Sequence, residues 1–252
     1  MTRVLFAGGG TAGHVEPALA VALQGRMQYP DSKISFIGTR EGLETRLVPE
    51  AGFDLHFISK VRIARRLSPS LLVAPFSLLR SVAQSITLMR SADLVVGFGG
   101  YVCAPAYIAA ALTRTPIVIH EANARPGLAN RLGALFTNFL AVAQPIHNGK
   151  LSKALITGLP LRGDVANALS LSSMDWNLAR NNAKKSLGFS ESAPVVAIFF
   201  GSQGSVALNK VIAAALPTLA KSGTQVLHAL GKANQLPSTA TGYKPVSYIE
   251  DM

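Results

Sequence analysis

Arg3-Val-Leu-Phe-Ala7, then Gly8-Gly9-Gly10-Thr11-Ala12-Gly13-His14, then Val15-Glu-Pro-Ala-Leu-Ala20, is the stretch whose reading decides the fold of this chain. A short apolar run opens into glycines and then into a helix-forming segment. The order is strand, loop and helix, the start of a βαβ unit. Glycine lets a backbone approach a phosphate closely, and a helix N-terminus behind the loop offers free N–H groups and a positive dipole end. The same arrangement recurs after two other apolar runs, at Gly97-Phe-Gly-Gly-Tyr101 and Gly201-Ser-Gln-Gly-Ser205. One such loop is a weak signal. Three of them imply a site for more than one phosphorylated ligand.

Outward from the first loop, strands alternate with helices. Arg3–Ala7 leads to a helix from His14, Lys33–Gly38 to a short helix from Glu41, and Leu55–Ser59 to a long helix from Ser70 to Arg90. Asp93–Val96 is followed by a helix after Pro105, Pro116–His120 by one from Pro126, and Asn138–Ala141 closes the set. This alternation predicts a parallel, doubly wound α/β sheet. Gly158-Leu-Pro-Leu-Arg162 interrupts the rhythm, so two domains are expected, residues 1–160 and 161–252. In the second, a polar amphipathic helix over Met174–Leu187 precedes strand Val195–Phe200, helix Val206–Lys221 and strand Gln225–Leu230. Two or three strands are few for an open sheet covered on both faces, and the chain is expected to be cut short at Met252.

A chain of 252 residues with 49% apolar composition has room for two such domains. Cys103 is the one cysteine, so no intrachain disulfide forms and a reducing compartment fits; the thiol reads as core. No signal peptide is expected, because the first strand runs straight into the glycine loop. Leu94 to Thr113 carries no charge and is long enough to span a bilayer, but Gly97, Gly99, Gly100 and Pro105 break it into strand, loop and buried helix.

The net charge of +11 is partly local: Lys60, Arg62, Arg65 and Arg66 lie within seven residues, just before Leu71-Leu-Val-Ala-Pro-Phe76 and Leu78-Leu79. A basic run beside an apolar helix suits an anionic membrane surface, while a core-facing helix after a solvated loop is the plain alternative. The interleaved aromatic and basic pattern of an RNA-binding sheet is missing, so no nucleic acid partner is expected.

Gly8, Gly10 and Gly13 also satisfy the dinucleotide fingerprint, which calls for an acid at the end of the second strand to hold a ribose. That strand ends Ile37-Gly38-Thr39-Arg40, without one. His14 opens the helix, where the positive dipole end disfavours imidazolium and leaves a neutral base suited to a hydroxyl nucleophile; capping or phosphate donation is the alternative. His120-Glu121-Ala122-Asn123 emerges at a carboxyl edge, where open α/β sheets bind ligands. Spacing argues against metal ligation there: the chain has no His-Glu-x-x-His, no Asp-x-Asp pair and no P-loop lysine, so no metal or other cofactor is expected.

Taken in order, these motifs resemble the MurG family of peptidoglycan glycosyltransferases. The matching stretches are Gly8–Ala20, Val96–Pro105, His120–Arg131, Gly158–Arg162, Gly201–Asn209 and Tyr248–Met252. The resemblance implies a GT-B fold of two Rossmann-like domains facing a cleft, the second incomplete here, with the acceptor site in the first and the nucleotide-sugar site mostly in the second. It implies metal-free, inverting transfer of N-acetylglucosamine from UDP-GlcNAc to the 4-hydroxyl of undecaprenyl-diphosphate-linked muramoyl-pentapeptide. The protein would lie peripherally on the cytoplasmic face of the cell membrane, with cell-wall or division proteins as further partners.

By the same resemblance, Thr11, Ala12 and Gly13 lie near the sugar, Asn123, Arg162 and Ser202 contact the donor, and Ile249 lies beside the uracil. His14 matches the proposed base. Glu121 is carried as a second catalytic candidate, while Gly99, Gly100, Tyr101, His120, Asn130, Gln203 and Asn209 match binding positions. The chain departs from the family pattern at Ala12, Ala122 and Leu159, where Gly, Gln and Asn are usual. The family's later segment, with its acidic residue and paired glutamines on the ribose and sugar, is expected to be absent. An acceptor-binding module, or a transferase for another lipid-linked acceptor, is therefore the rival expectation.

Overall fold

A computed structural model describes residues 1–61, 70–201 and 204–249. The chain divides into two units, Met1–Gly163 and Asp164–Met252.

The first unit holds β1 (Arg3–Ala7), α1 (Ala12–Gln28), β2 (Lys33–Gly38), α2 (Glu44–Glu50), β3 (Asp54–Phe57) and α3 (Ser70–Met89). β4 (Leu94–Gly97), α4 (Cys103–Thr113), β5 (Ile117–Glu121), α5 (Leu128–Gly133), β6 (Phe139–Val142) and a two-residue β7 (Leu155–Ile156) follow. The strands form one sheet in the order β3-β2-β1-β4-β5-β6-β7, every described pairing parallel. The central strands are covered on both faces, successive residues of a strand packing on opposite sides. Leu5, Ala7 and Val95 pack beneath α3 and α4 with Val82, Met89 and Ala106. Phe6 packs on the other face against Val15, Ala18, Leu19 and Ala22 of α1, an i, i+3, i+4, i+7 stripe. Phe6 also stacks between Phe36 and Phe98, at 5.2 and 6.1 Å between ring centroids.

Leu94 to Thr113 is strand, glycine loop and helix, as its sequence implies. Among the described residues no helix is long and apolar enough to cross a membrane. Helix α4 begins at Cys103, ahead of Pro105, which sits in the first turn where a missing N–H costs nothing.

The second unit holds α6 (Gly163–Met174), α7 (Trp176–Ser186), β8 (Val195–Phe199), α8 (Val206–Lys221), β9 (Gln225–Ala229) and β10 (Tyr243–Val246). Its parallel sheet runs β10-β9-β8. Two findings differ from the sequence reading. The helix expected over Met174–Leu187 is the second of a pair: Asp175 breaks the run and caps α7, its carboxylate accepting from the Leu178 N–H at 2.9 Å. Strand β10 contains Pro245, which conceals it in sequence, yet it borders only β9 among the described residues, and a sheet edge accommodates proline.

Candidate active site

The strand order reverses between β1 and β4, and there the first two glycine loops leave the sheet side by side. Ala7 pairs with Gly97 at the carboxyl ends of the two strands. A crevice at such a reversal is where open α/β sheets take ligands.

The glycines are there largely to let one loop lie on the other. Gly100, at φ +87°, would drive a Cβ into the Gly9 carbonyl oxygen, and a Cβ on Gly10, at φ +91°, would lie 2.6 Å from the Tyr101 ring. A Cβ on Gly8 would meet the His14 carbonyl oxygen at 2.8 Å. Gly13 differs: the nearest atom to its Cβ position is the Thr11 hydroxyl, at 3.9 Å. The open part of the first loop is therefore the exposed turn Thr11–Gly13, at the start of α1. First-turn N–H groups have no partner within their own helix, so this turn is a donor surface for an anion.

His14 is half-buried, and its Nδ1 lies 3.0 Å from the Thr11 hydroxyl. Its Nε2 edge faces the second loop, 3.2 Å from where a Gly99 Cβ would stand; only a glycine fits there. Asn130 Nδ2 approaches the same point at 3.3 Å.

The loop after β5 is built around Glu121. Its buried carboxylate accepts from the Asn123 backbone N–H and side-chain amide, both at 2.9 Å, from the Gly127 N–H at 2.9 Å and from Asn130 Nδ2 at 3.0 Å. Four donors on two oxygens leave it little capacity for proton transfer, and the geometry fits a residue that shapes the loop. Asn130 is also buried and fully engaged, since its Oδ1 accepts from Tyr107 at 2.9 Å. Gly97 and Gly133 leave the room that Tyr107 fills. The Tyr107 phenol titrates well above its usual range, chiefly because burial penalises the charged form.

His120 is buried against the Phe98 ring, and its Nε2 lies 3.0 Å from the Gly158 carbonyl. A carbonyl only accepts, so Nε2 carries the proton. Nδ1 is buried without a partner.

Tyr101 bridges the second loop to Thr39 and Glu44, neither of which the sequence singles out as a site residue. Its hydroxyl lies 3.0 Å from Glu44 Oε1 and 2.9 Å from the Thr39 hydroxyl. Glu44 also accepts from the N–H groups of Gly10 and Thr39, each at 3.0 Å. Burial is the main reason the Tyr101 hydroxyl titrates above its usual range. Lys60 lies 5.5 Å over the Tyr101 ring and forms a 2.8 Å ion pair with Glu41. The sequence feature that goes with Glu44 is the pair Gly38 and Gly42, whose missing side chains leave the space its own side chain fills.

In the second unit, Ser202 and Gln203 lie outside the described residues. Gly204 packs under the Leu230 carbonyl, and Ser205 caps α8 by accepting from Leu208 N–H at 3.4 Å. Asn209 is turned inward: Nδ2 donates to the Leu230 carbonyl at 3.0 Å, and Oδ1 lies 3.2 Å from His228 Nε2. Its amide ties the first turn of α8 to β9 and the residue that follows it. Ile249 is half-buried in the coil after β10, and Arg162 is half-buried just before α6. Of the three departures, Ala12 is the first residue of α1 and exposed, Ala122 is half-buried, and Leu159 is exposed. Arg62, Arg65 and Arg66 lie outside the described residues. Among those described, no three His, Cys, Asp or Glu side chains converge as metal ligands.

Comparison with known proteins gives a consistent picture. Residues 4–141 match the glycosyltransferase family 28 N-terminal domain and residues 195–252 its C-terminal domain. The chain is 43% identical over 257 residues to a protein of Streptomyces avermitilis named UDP-N-acetylglucosamine--N-acetylmuramyl-(pentapeptide) pyrophosphoryl-undecaprenol N-acetylglucosamine transferase, covering 99% of this chain and 69% of that protein. A protein of the same name from Corynebacterium glutamicum is 42% identical over 254 residues, covering 99% of this chain and 68% of its own length. Among solved structures, MurG of Acinetobacter baumannii superposes with a TM-score of 0.70 at 27% identity, over 100% of this chain and 68% of that one. The chain thus spans about two thirds of the length of these relatives.

Proposed function

This chain belongs to glycosyltransferase family 28, within it to the MurG group, and on that premise we propose that it transfers N-acetylglucosamine from UDP-GlcNAc to the 4-hydroxyl of lipid-linked muramoyl-pentapeptide. The observation that carries the proposal is the apposition of two glycine loops at the β1/β4 reversal, with His14 beside Gly99 and the turn Thr11–Gly13 open.

His14 Nε2 takes the proton of the acceptor hydroxyl as that oxygen forms its bond to the anomeric carbon. The bond from that carbon to the UDP oxygen breaks on the opposite face, so the configuration inverts. UDP leaves with the electron pair, stabilised by N–H groups of the third loop and by Arg162 rather than by a metal ion. The acceptor diphosphate sits on the Thr11–Gly13 turn and the second loop. His120, Glu121 and Asn130 act by holding the β5 loop that presents Asn123, and Asn209 acts by fixing the start of α8, behind the third loop, against β9.

The membrane partner is an anionic surface at the cytoplasmic face. Helix α3 carries Phe76 and Leu79 exposed at 73% and 66%, next to exposed Arg80. An amphipathic helix of this kind lies in the headgroup region.

The test is transfer of labelled N-acetylglucosamine from UDP-GlcNAc to the muramoyl acceptor presented in vesicles, beside other polyprenyl-diphosphate sugars. Product on the muramoyl acceptor alone is the expected result. No product with any acceptor, or product with a different one, overturns the proposal.

A further inference from the structure

The first loop has the spacing of a dinucleotide fingerprint, and its β2 strand ends without the acid that fingerprint needs. In the folded chain a carboxylate stands there nonetheless, delivered by the first residue of α2. Glu44 is fully buried, which is costly for a charged group unless donors surround it. Three do. Oε1 accepts from the Thr39 N–H and the Tyr101 hydroxyl, and Oε2 accepts from the Gly10 N–H, all at 3.0 Å. The Thr39 hydroxyl, 3.5 Å from Glu44, is too far to be a fourth; it donates to the Tyr101 oxygen at 2.9 Å, which leaves the tyrosine proton for the carboxylate.

Three glycines make room for this one side chain. A Cβ on Gly42 would overlap the carboxylate, one on Gly38 would lie 2.5 Å from Glu44 Cγ, and one on Gly9 would lie 3.0 Å from Oε1. Gly10 is the second glycine of the fingerprint, the position at which the backbone of a dinucleotide-binding loop meets the pyrophosphate. Its N–H is already taken by an anion.

We propose that Glu44 is a built-in anion for the first glycine loop: it occupies the Gly10 N–H in place of a phosphate and, through Tyr101, locks that loop to the second one. Two consequences follow. Phosphate is excluded from the Gly10 side and directed to the open Thr11–Gly13 turn. The spacing between the loops is set before any ligand arrives. Glu44 is thus a positioning residue; its effect on transfer rests on the function proposed above, whereas its place on the loop does not.

The test compares the wild-type chain with Glu44→Ala, Glu44→Gln and Tyr101→Phe. Thermal unfolding is followed with and without formate or inorganic phosphate, and the Gly10 amide by nitrogen-15 NMR. Glu44→Ala is expected to lose stability, regain most of it in formate, and bind phosphate at least about tenfold more tightly than wild type, with the Gly10 amide shifting on binding. Glu44→Gln keeps the volume but turns an N–H₂ toward donors, and is not restored by formate. A folded Glu44→Ala that responds to neither anion overturns the proposal.

If Glu44→Ala does not fold, the wild-type titration still decides. Phosphate moving the Thr11–Gly13 amides but not Gly10 supports the proposal, and a Gly10 shift of equal size overturns it. In transfer assays Glu44→Ala should lower kcat by about 10²-fold while leaving the KM for UDP-GlcNAc within about twofold. A wild-type chain that transfers nothing counts against the transferase reading alone, because the anion titrations do not depend on it.

Discussion

His14 Nδ1 lies 3.0 Å from the Thr11 hydroxyl, across the first turn of α1, and that hydroxyl can accept from a protonated Nδ1 or donate to a bare one. For Nε2 to take a proton from an acceptor, Nδ1 must donate to Thr11 Oγ1. His14→Ala should lower kcat by about 10²- to 10⁴-fold, the usual range for a positioned base. Thr11→Val should lower it by a smaller factor and alter the pH profile of kcat, which His14→Ala abolishes. A His14→Ala enzyme with wild-type kcat removes the histidine from the chemistry.

Glu121 gathers four donors from one loop, so its removal should cost order there before it costs anything else. Glu121→Ala leaves buried donors unpaired and should destabilise the first unit by about 2–3 kcal/mol. Hydrogen exchange at Asn123 and Gly127 should quicken in parallel. Lost activity with unchanged exchange at those amides would make Glu121 a direct participant.

Cys103 is the buried first residue of α4, and burial raises its thiol pKa to about 12. Thiolate is the reactive form, so the native chain should resist alkylation at neutral pH, and modification should follow unfolding in denaturant. Rapid alkylation of the native protein would contradict this placement.

His228 is buried in β9 between Asn209 and Tyr243, and burial lowers its pKa. The unfolded chain then binds a proton more readily than the folded one, so stability rises with pH between the two values. The contribution is fully present above the ordinary histidine value of about 6.5 and is lost as pH falls through that value toward the folded one. Urea unfolding of the second unit at several pH values should show this slope, and His228→Asn should flatten it.

Phe76 and Leu79 on α3 should carry part of the proposed membrane affinity. Replacing either by Ser forfeits burial worth about 1.5–3 kcal/mol if it inserts fully, roughly a tenfold or greater loss in partitioning to anionic vesicles. Charge reversal at Arg62, Arg65 and Arg66 should add about 1 kcal/mol for each residue near the surface. Partitioning that ignores both changes would return this face to an ordinary solvated one.

Sequence by itself determined the alternation of strands and helices, the glycine loops at strand ends and the family, because these rest on local periodicity and on glycines at fixed spacing. It also singled out His14, Glu121 and Asn130. It did not show β10, which proline disguises, nor the break at Asp175. Only the tertiary structure decided which partners the polar residues take. Glu121 reads as a catalytic candidate and Asn130 and Asn209 as ligand contacts along the chain, yet in space their oxygens and amides are spent on neighbouring backbone and side chains. Glu44 and Tyr101, 57 positions apart, are joined by one hydrogen bond that no spacing rule predicts. The physical reason is that burial makes every polar group find a partner, and which partner it finds depends on how the strands are ordered in the sheet. The glycines of the first loop make the same point: their number suggested phosphate, while the packing assigns three of the four to Tyr101, Glu44 and the turn of α1, leaving Gly13 open.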